Sequence, residues 1–384
     1  PGVKAVAEAV VLRQLDVGRD AAGGGIVHGA TVCSLRGRSK PLREECPTNG
    51  LAASERFGEA RWRMQSRPLL EMFAGLEARL PFARLGDFPT PITPLDSLAA
   101  ALGRPDAALY EKRDDLTSTI YGGNKVRTLE VLFGDALARG ASHVFSTGAY
   151  GSNHAMATVF HAARVGLRPG IALYPQPPSS AALENLEVML AREPVTYDLP
   201  HWSFLLYGMW RVKRDLPEAY VMEPGGAVPL GALGYASAAL ELAQQVARGD
   251  LPEPKRIVVA VGSNCTAAGL LLGTHLAQRR GFGFVTAPTI VAVRVTPFPI
   301  TIPFRILKLA SEASELLARL TGEDVAVDRR TLAPQLVLER RFIGRGYGYA
   351  TAAGRAAMQL WQEHAGHELE TTYSGKAAAA VIDV

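Results

Sequence analysis

From Leu80 onward, short apolar runs ending in glycine-bearing turns alternate with longer stretches of helical spacing, and this rhythm narrows the possible folds more than any other feature. The runs "ALYEKRD", "HVFSTG", "GIALYP", "RIVVAVG" and "TIVAVRV" have the length and β-branched content of strands. Helical spacing covers 125–138, 153–165, 266–280 and 304–320, and a short helix at "SLAAALG" ends at Gly103. Strands and helices in alternation call for an α/β protein: open, mainly parallel sheets with helices on both faces. No internal repeat of solenoid period is present.

Residues 1–72 lack the rhythm. They hold a glycine run (Gly23, Gly24, Gly25) and isolated arginines and prolines, so a poorly ordered, dispensable leader is expected there. The chain opens on Pro1, with Met64 and Met72 ahead of the first clear pattern, and an upstream segment read in frame is an origin that would fit. Charge agrees with this boundary. Of the net +4, residues 1–72 carry 11 lysines and arginines against 8 acids, and the rest 30 against 29. The basic residues are not interleaved with aromatics, so a solvated tail is expected and no nucleic-acid partner. No run approaches the ~18 apolar residues of a membrane span, and the start lacks the pattern of a secretory signal. The cysteines Cys33, Cys46 and Cys265 are odd in number and have no CxxC spacing, which favours a reducing, cytoplasmic setting over disulfides or a cysteine zinc site. His364 and His367 have no partner carboxylate pattern, and no metal is expected.

Chemistry is expected at three glycine-bearing turns, "YGGNKVR", "STGAYGSNHA" and "VGSNCTAAGL", because open α/β sheets bind ligands where strands end. In the third, a strand gives way to a helix through Gly262, Ser263, Asn264, Cys265 and Thr266. Backbone N–H groups and a helix dipole would there converge on a phosphate. A plain βα loop capped by Ser263 or Thr266 fits equally well. "GGNKV" and "YSGKA" both fail the Walker pattern, and GxGxxG is missing from the first turns, which argues against ATP or nicotinamide chemistry. Lys125 follows Gly122, Gly123 and Asn124 at a helix start, where the field disfavours its ammonium form. A lysine with a lowered pKa forms a Schiff base with a carbonyl such as that of pyridoxal phosphate, whose phosphate needs a second site like "GSNCT".

The segments "EKRDDLTSTIYGGNKVRTLEVLFGDALARGASHVFSTGAYGSNHAMATVFHAARVGLRPGIALYP", "PGGAVPLGALGYASAALELAQQ", "VAVGSNCTAAGL" and "GYGYATAAGRAAMQLW…ETTYSGKAAAAVIDV" resemble the D-cysteine desulfhydrase and 1-aminocyclopropane-1-carboxylate deaminase family of pyridoxal-phosphate enzymes. The resemblance runs in order from about Leu80 to the end. It implies the tryptophan synthase β-like fold (fold type II). Residues 73–129 with 231–384 would form a larger cofactor-binding domain, 130–230 a smaller inserted one, and the protein would be a cytoplasmic homodimer. It implies Lys125 as the Schiff-base lysine and Cα base, and Asn153 on the cofactor's ring hydroxyl. Ser152, Asn153 and the His154 region would hold the substrate carboxylate, residues Gly262 to Thr266 the phosphate, and Tyr347 and Tyr373 would be active-site tyrosines. Ser152 and Asn153 would also serve as helix caps.

The reaction expected is β-elimination with deamination of a small amino acid, foremost D-cysteine to pyruvate, ammonia and hydrogen sulfide. The alternatives are 1-aminocyclopropane-1-carboxylate to 2-oxobutyrate and ammonia, or an inactive homologue acting as a ligand-binding module. Ser374 stands where the cyclopropane deaminases resemble one another in having glutamate. Facing the cofactor's pyridine nitrogen, it would leave a weaker electron sink that suits a thiolate leaving group. The departures have expected consequences too. Cys265 replaces a glycine and should strain the phosphate turn, and Tyr150 and Ala227 should alter substrate shape. The family pattern continues past "AVIDV" to a strand with a His-Thr-Gly-Gly stretch, so a sheet strand and part of the cofactor wall are expected to be missing.

Overall fold

The computed structural model describes residues 66–383 and, for Val6–Ala7 and Ala9–Leu12, the backbone. In chain order the main strands are β1 (Ala9–Leu12), β2 (Ile92–Pro94), β3 (Leu109–Lys112), β4 (His143–Ala149), β5 (Arg168–Tyr174), β6 (Val195–Asp198), β7 (Tyr220–Val221), β8 (Arg256–Val261), β9 (Thr289–Arg294) and β10 (Leu336–Glu339). The helices that bear on the site are α1 (Pro68–Met72), α2 (Asn124–Ala138), α3 (Asn153–Ala162), α4 (Pro229–Arg248), α5 (Cys265–Arg279) and α6 (Ser374–Asp383). They build a two-domain α/β fold with a six-stranded sheet, order β10-β9-β8-β1-β3-β2, and a four-stranded sheet, order β6-β5-β4-β7. Every pairing is parallel except β2 with β3.

Strands covered on both faces read as unbroken apolar runs. Ile257 to Val261 of β8 are each no more than 2% exposed, and every residue of β4 is buried. The helices α4 and α5 fill the larger core with alanine, leucine and glycine, which lets the two backbones approach closely.

The leader expectation needs correction at both of its described ends. Strand β1 lies inside the six-stranded sheet, with Val10 and Val11 in register with Ile257 and Val258 of β8, and Ala9 to Leu12 with Leu109 to Lys112 of β3. The apolar "AVVL" run suits a strand between two parallel neighbours. The expected gap in the sheet is therefore absent, because β1 satisfies edges of β8 and β3 that would otherwise be open. At the other end, Leu69 of α1 is 2% exposed in the core against α4, and Arg67 pairs with buried Glu130. Residues 13–65, with Cys33 and Cys46, lie outside the described residues.

Candidate active site

The three glycine-bearing turns meet around one cavity of about 820 Å³ at the carboxyl ends of β4, β5 and β8. Lys125, Ser152, His154, Ser263, Tyr347 and Tyr373 are among its lining residues.

Lys125 is presented by a turn that tolerates only glycine. Gly123 has φ 120°, and a Cβ at Gly122 would sit 1.8 Å from the Asp115 carbonyl oxygen. The Gly123 N–H donates to Asp114 O and Thr117 Oγ, each at 2.8 Å, and the Thr117 hydroxyl donates to Gly123 O at 3.0 Å. One turn into α2, Arg127 donates to Asp114 at 2.8 Å and to Glu241 at 2.9 Å, and Lys112 pairs with the same Glu241. Burial works against the Glu241 charge, yet Arg127 and Lys112 hold its carboxyl below the usual range. This network fastens the helix start to β3 and α4. Lys125 Nζ then donates to Gly225 O at 3.1 Å, and burial lowers its pKa. The expected direction is found, with desolvation rather than the helix dipole as the leading cause.

At the second turn Ser152 caps α3, its Oγ accepting the Ala155 N–H at 3.3 Å. The Asn153 carboxamide oxygen accepts from Asn185 Nδ2 at 3.5 Å, and Gly151 N–H donates to Gln176 Oε1 at 3.1 Å. His154 is 2% exposed, and neither ring nitrogen has a hydrogen-bond partner. Burial, then the neighbouring Lys125, pushes its pKa well below the ordinary value, so the ring is neutral.

In the third turn the residue in left-handed conformation is Asn264, φ 75°, which asparagine accepts readily. Its Nδ2 donates to Ile300 O at 3.0 Å. Strain at Cys265 is not observed: this residue opens α5, is fully buried, and directs its thiol to Gly226 O at 3.2 Å, away from the cavity. Its side chain is thus outside the wall, in contrast to Gly262, Ser263, Asn264 and Thr266. Asn124 Nδ2 donates to Thr266 Oγ at 3.1 Å and ties the lysine turn to this one.

Tyr347 and Tyr373 share a hydrogen bond of 2.8 Å between their hydroxyls, with rings edge to face at 79°. Burial raises both pKa values, so both hydroxyls keep their protons. Ser374, in contrast to its expected place, does not line the cavity. Its Oγ accepts the Glu370 N–H at 2.8 Å within the first turn of α6, so the hydroxyl serves a helix start. Glu370 escaped the sequence reading. Its carboxylate accepts the N–H groups of Thr372, Tyr373 and Ser374 at 2.6, 2.5 and 2.7 Å, and an acid ahead of an alanine-rich helix was the available signal. Gln176 and the buried partners of Arg127 were missed as well, because nothing local marks them. Among the described residues no cluster of His, Cys, Asp and Glu could hold a metal ion. His364 instead faces Ser97 Oγ at 3.1 Å, and His367 lies 3.0 Å from buried Glu111.

This arrangement fits pyridoxal phosphate. A Cβ at Gly225 would fall 2.4 Å from Ser263 Oγ and 3.4 Å from Lys125 Nζ, so the glycine keeps open a cradle between the amine and the α5 turn. The unpartnered imidazole of His154 adds polar capacity that the protein itself does not use.

Comparison with known proteins agrees. The family model described as "Pyridoxal-phosphate dependent enzyme" matches residues 83–384. D-cysteine desulfhydrase of Salmonella paratyphi C is 33% identical over 319 residues, covering 79% of this chain and 88% of the relative. Nocardicin C-9' epimerase of Nocardia uniformis subsp. tsuyamanensis is 34% identical over 307 residues, covering 78% and 86%. The crystal structure of an ACC deaminase homologue superposes with a TM-score of 0.67 at 30% identity, over 83% of this chain and 90% of that one. Sequence, fold and site geometry thus agree that the chain belongs to the D-cysteine desulfhydrase and ACC deaminase-like family of pyridoxal-phosphate-dependent lyases, fold type II, which act on small amino acids by β-elimination and deamination.

Proposed function

We propose that this enzyme converts D-cysteine to pyruvate, ammonia and hydrogen sulfide. The observation that carries the reading is the buried Lys125 amine, its pKa lowered by desolvation, sharing one cavity with the α3 N-terminal turn and the hydrogen-bonded Tyr347 and Tyr373 hydroxyls. The α3 turn, Ser152 to His154, would hold the substrate carboxylate, with Asn153 toward the cofactor's ring hydroxyl. The third turn, Gly262 to Thr266, would hold the phosphate, Cys265 through its backbone alone. When bound, pyridoxal phosphate supplies the electron sink that makes the substrate Cα–H acidic. Lys125 takes the Cα proton, and the Cβ–S bond breaks with its electron pair leaving on sulfur. The Tyr347 and Tyr373 pair supplies the departing sulfur with a proton. The 2-aminoacrylate released takes up water and gives pyruvate and ammonia.

Thiolate release is favoured over cyclopropane opening because a thiolate is a good leaving group even on a weak electron sink; the described lining residues include two carboxylates, Glu223 and Glu312. Glu312 is paired with Lys308 at 3.5 Å, and Glu370 is committed to backbone N–H groups. This replaces the argument from Ser374, whose hydroxyl is engaged elsewhere. The division into 130–230 and 73–129 with 231–384 belongs to the same proposal, with β1 and Arg67 added to the larger part. A homodimer in the cytoplasm is proposed on the family resemblance. Keto-acid release from D-cysteine and β-chloro-D-alanine should exceed release from 1-aminocyclopropane-1-carboxylate at least tenfold, about 1.4 kcal/mol in barrier. A preference for the cyclopropane substrate would overturn the choice. Chiral analysis of recovered substrate covers the epimerising reaction that one relative's name implies.

A further inference from the structure

Lys376 is fully buried in the first turn of α6, and the mechanism above does not use its amine. Its Nζ donates to two carbonyl oxygens of one loop, Ile343 O and Gly346 O, each at 3.0 Å. Phe342, just before it, packs into a core cluster, but the stretch that follows is glycine-rich. Gly344, Gly346 and Gly348 all have positive φ, at 62°, 133° and 78°, and the backbone bond within it is Gly346 N–H to Ile343 O at 3.3 Å. Gly346 immediately precedes Tyr347, whose hydroxyl meets that of Tyr373 in the cavity wall. Tyr373 is fixed from the same seven-residue stretch, since its N–H donates to the Glu370 carboxylate. Residues 370–376 thus hold both tyrosines, one through its own N–H and the other through the carbonyl next to it.

We propose that Lys376 is a positioning residue that sets the Tyr347 hydroxyl against Tyr373 and so aligns the proton donor for the substrate. The amine suits this task because it has three rotatable donors and reaches two carbonyls at once, while the Glu370 carboxylate nearby favours its charge against the effect of burial. The inference rests on the proposed role of the tyrosines in catalysis, but the alignment it asserts is measurable without turnover.

The test compares cofactor-loaded wild type, Lys376→Met, Lys376→Arg, Tyr347→Phe and the double variant Lys376→Met/Tyr347→Phe. Hydrogen exchange of the amides at 343–349 should speed up at least tenfold in Lys376→Met, partly recover in Lys376→Arg, and stay unchanged in Tyr347→Phe. Cofactor absorbance should be retained in all of them. With D-cysteine, Lys376→Met should lower kcat/KM by ~10–100-fold, the scale of an ångström-sized misplacement. The double variant should be no slower than the slower single variant. Unchanged exchange at 343–349, or losses that multiply in the double variant, would overturn the proposal. If Lys376→Met does not fold, Lys376→Gln takes its place, and wild-type exchange at 343–349 then sinks the idea equally. If wild type releases no keto acid from D-cysteine, the functional reading fails while the exchange arm still decides the role of Lys376.

Discussion

Arg67 donates from Nε and Nη2 to the two carboxylate oxygens of Glu130, at 2.8 and 2.6 Å, and its guanidinium also lies 4.5 Å from the centroid of the Phe88 ring. The same carboxylate accepts the N–H groups of Leu85 and Gly86 at 3.0 and 3.1 Å. The pair joins the chain just before α1 to the middle of α2, the helix that carries Lys125.

Removing one partner of a buried ion pair leaves the other charge without compensation. Arg67→Ala is therefore expected to cost about 3–5 kcal/mol. Urea unfolding checks this. A loss below about 1 kcal/mol would mean that the chain before α1 contributes little.

Two described lysines line the cavity; Lys308 pairs with Glu312 at 3.5 Å, whereas the Lys125 amine lies against Gly225, 3.1 Å from its carbonyl oxygen. Lys112 is committed to Glu241, Thr90 O and Gln245, and Lys376 to its two carbonyls. Borohydride reduction of the loaded enzyme and peptide mapping should place the pyridoxyl group on Lys125. Recovery on Lys308, Lys112 or Lys376 would refute the site, and Lys125→Ala should abolish keto-acid release.

Gly225 has φ 67°, and any Cβ there would press on Ser263. A side chain in left-handed backbone costs ~1–2 kcal/mol. A Cβ there also fills the space between Ser263 Oγ and Lys125 Nζ, so Gly225→Ala is expected to bind the cofactor about tenfold more weakly, ~1.4 kcal/mol. Fluorescence titration of the apoenzyme with pyridoxal phosphate measures it, and unchanged affinity would show that the cradle is not where the cofactor sits.

His161 is buried, with Nε2–H donating to Tyr121 O at 2.8 Å, and burial lowers its pKa to about 4. The unfolded chain binds this proton near pH 6.5, so stability is complete above that value and is lost as pH falls toward 4. Over that pH range the loss amounts to about 3 kcal/mol. His154 acts in the same direction. His161→Phe should flatten the stability profile between pH 6.5 and 4, and a profile parallel to wild type would rule His161 out as its source.

Local pattern was enough for the strand and helix alternation and for the glycine pair ahead of Lys125. Each depends on residues within a few positions of one another. Period, backbone freedom and capping are properties of short segments, and they determined the α/β class and where the three turns fall.

Tertiary structure alone decided the rest. Nothing near "AVVL" announces that it enters the sheet beside Ile257 and Val258, because a parallel strand is chosen by partners about 250 residues away. Ser374 and Cys265 sit inside recognisable motifs, yet the direction of each side chain follows from its helix: Ser374 closes on Glu370, and Cys265 turns toward Gly226. The charges of Arg127, Glu241 and Lys112 are ordinary in sequence and acquire meaning only when folding removes water from all of them at once. The chain's local chemistry thus determined which turns could bind a ligand. Long-range packing, which sets burial and the direction of each side chain, decided which atoms face it.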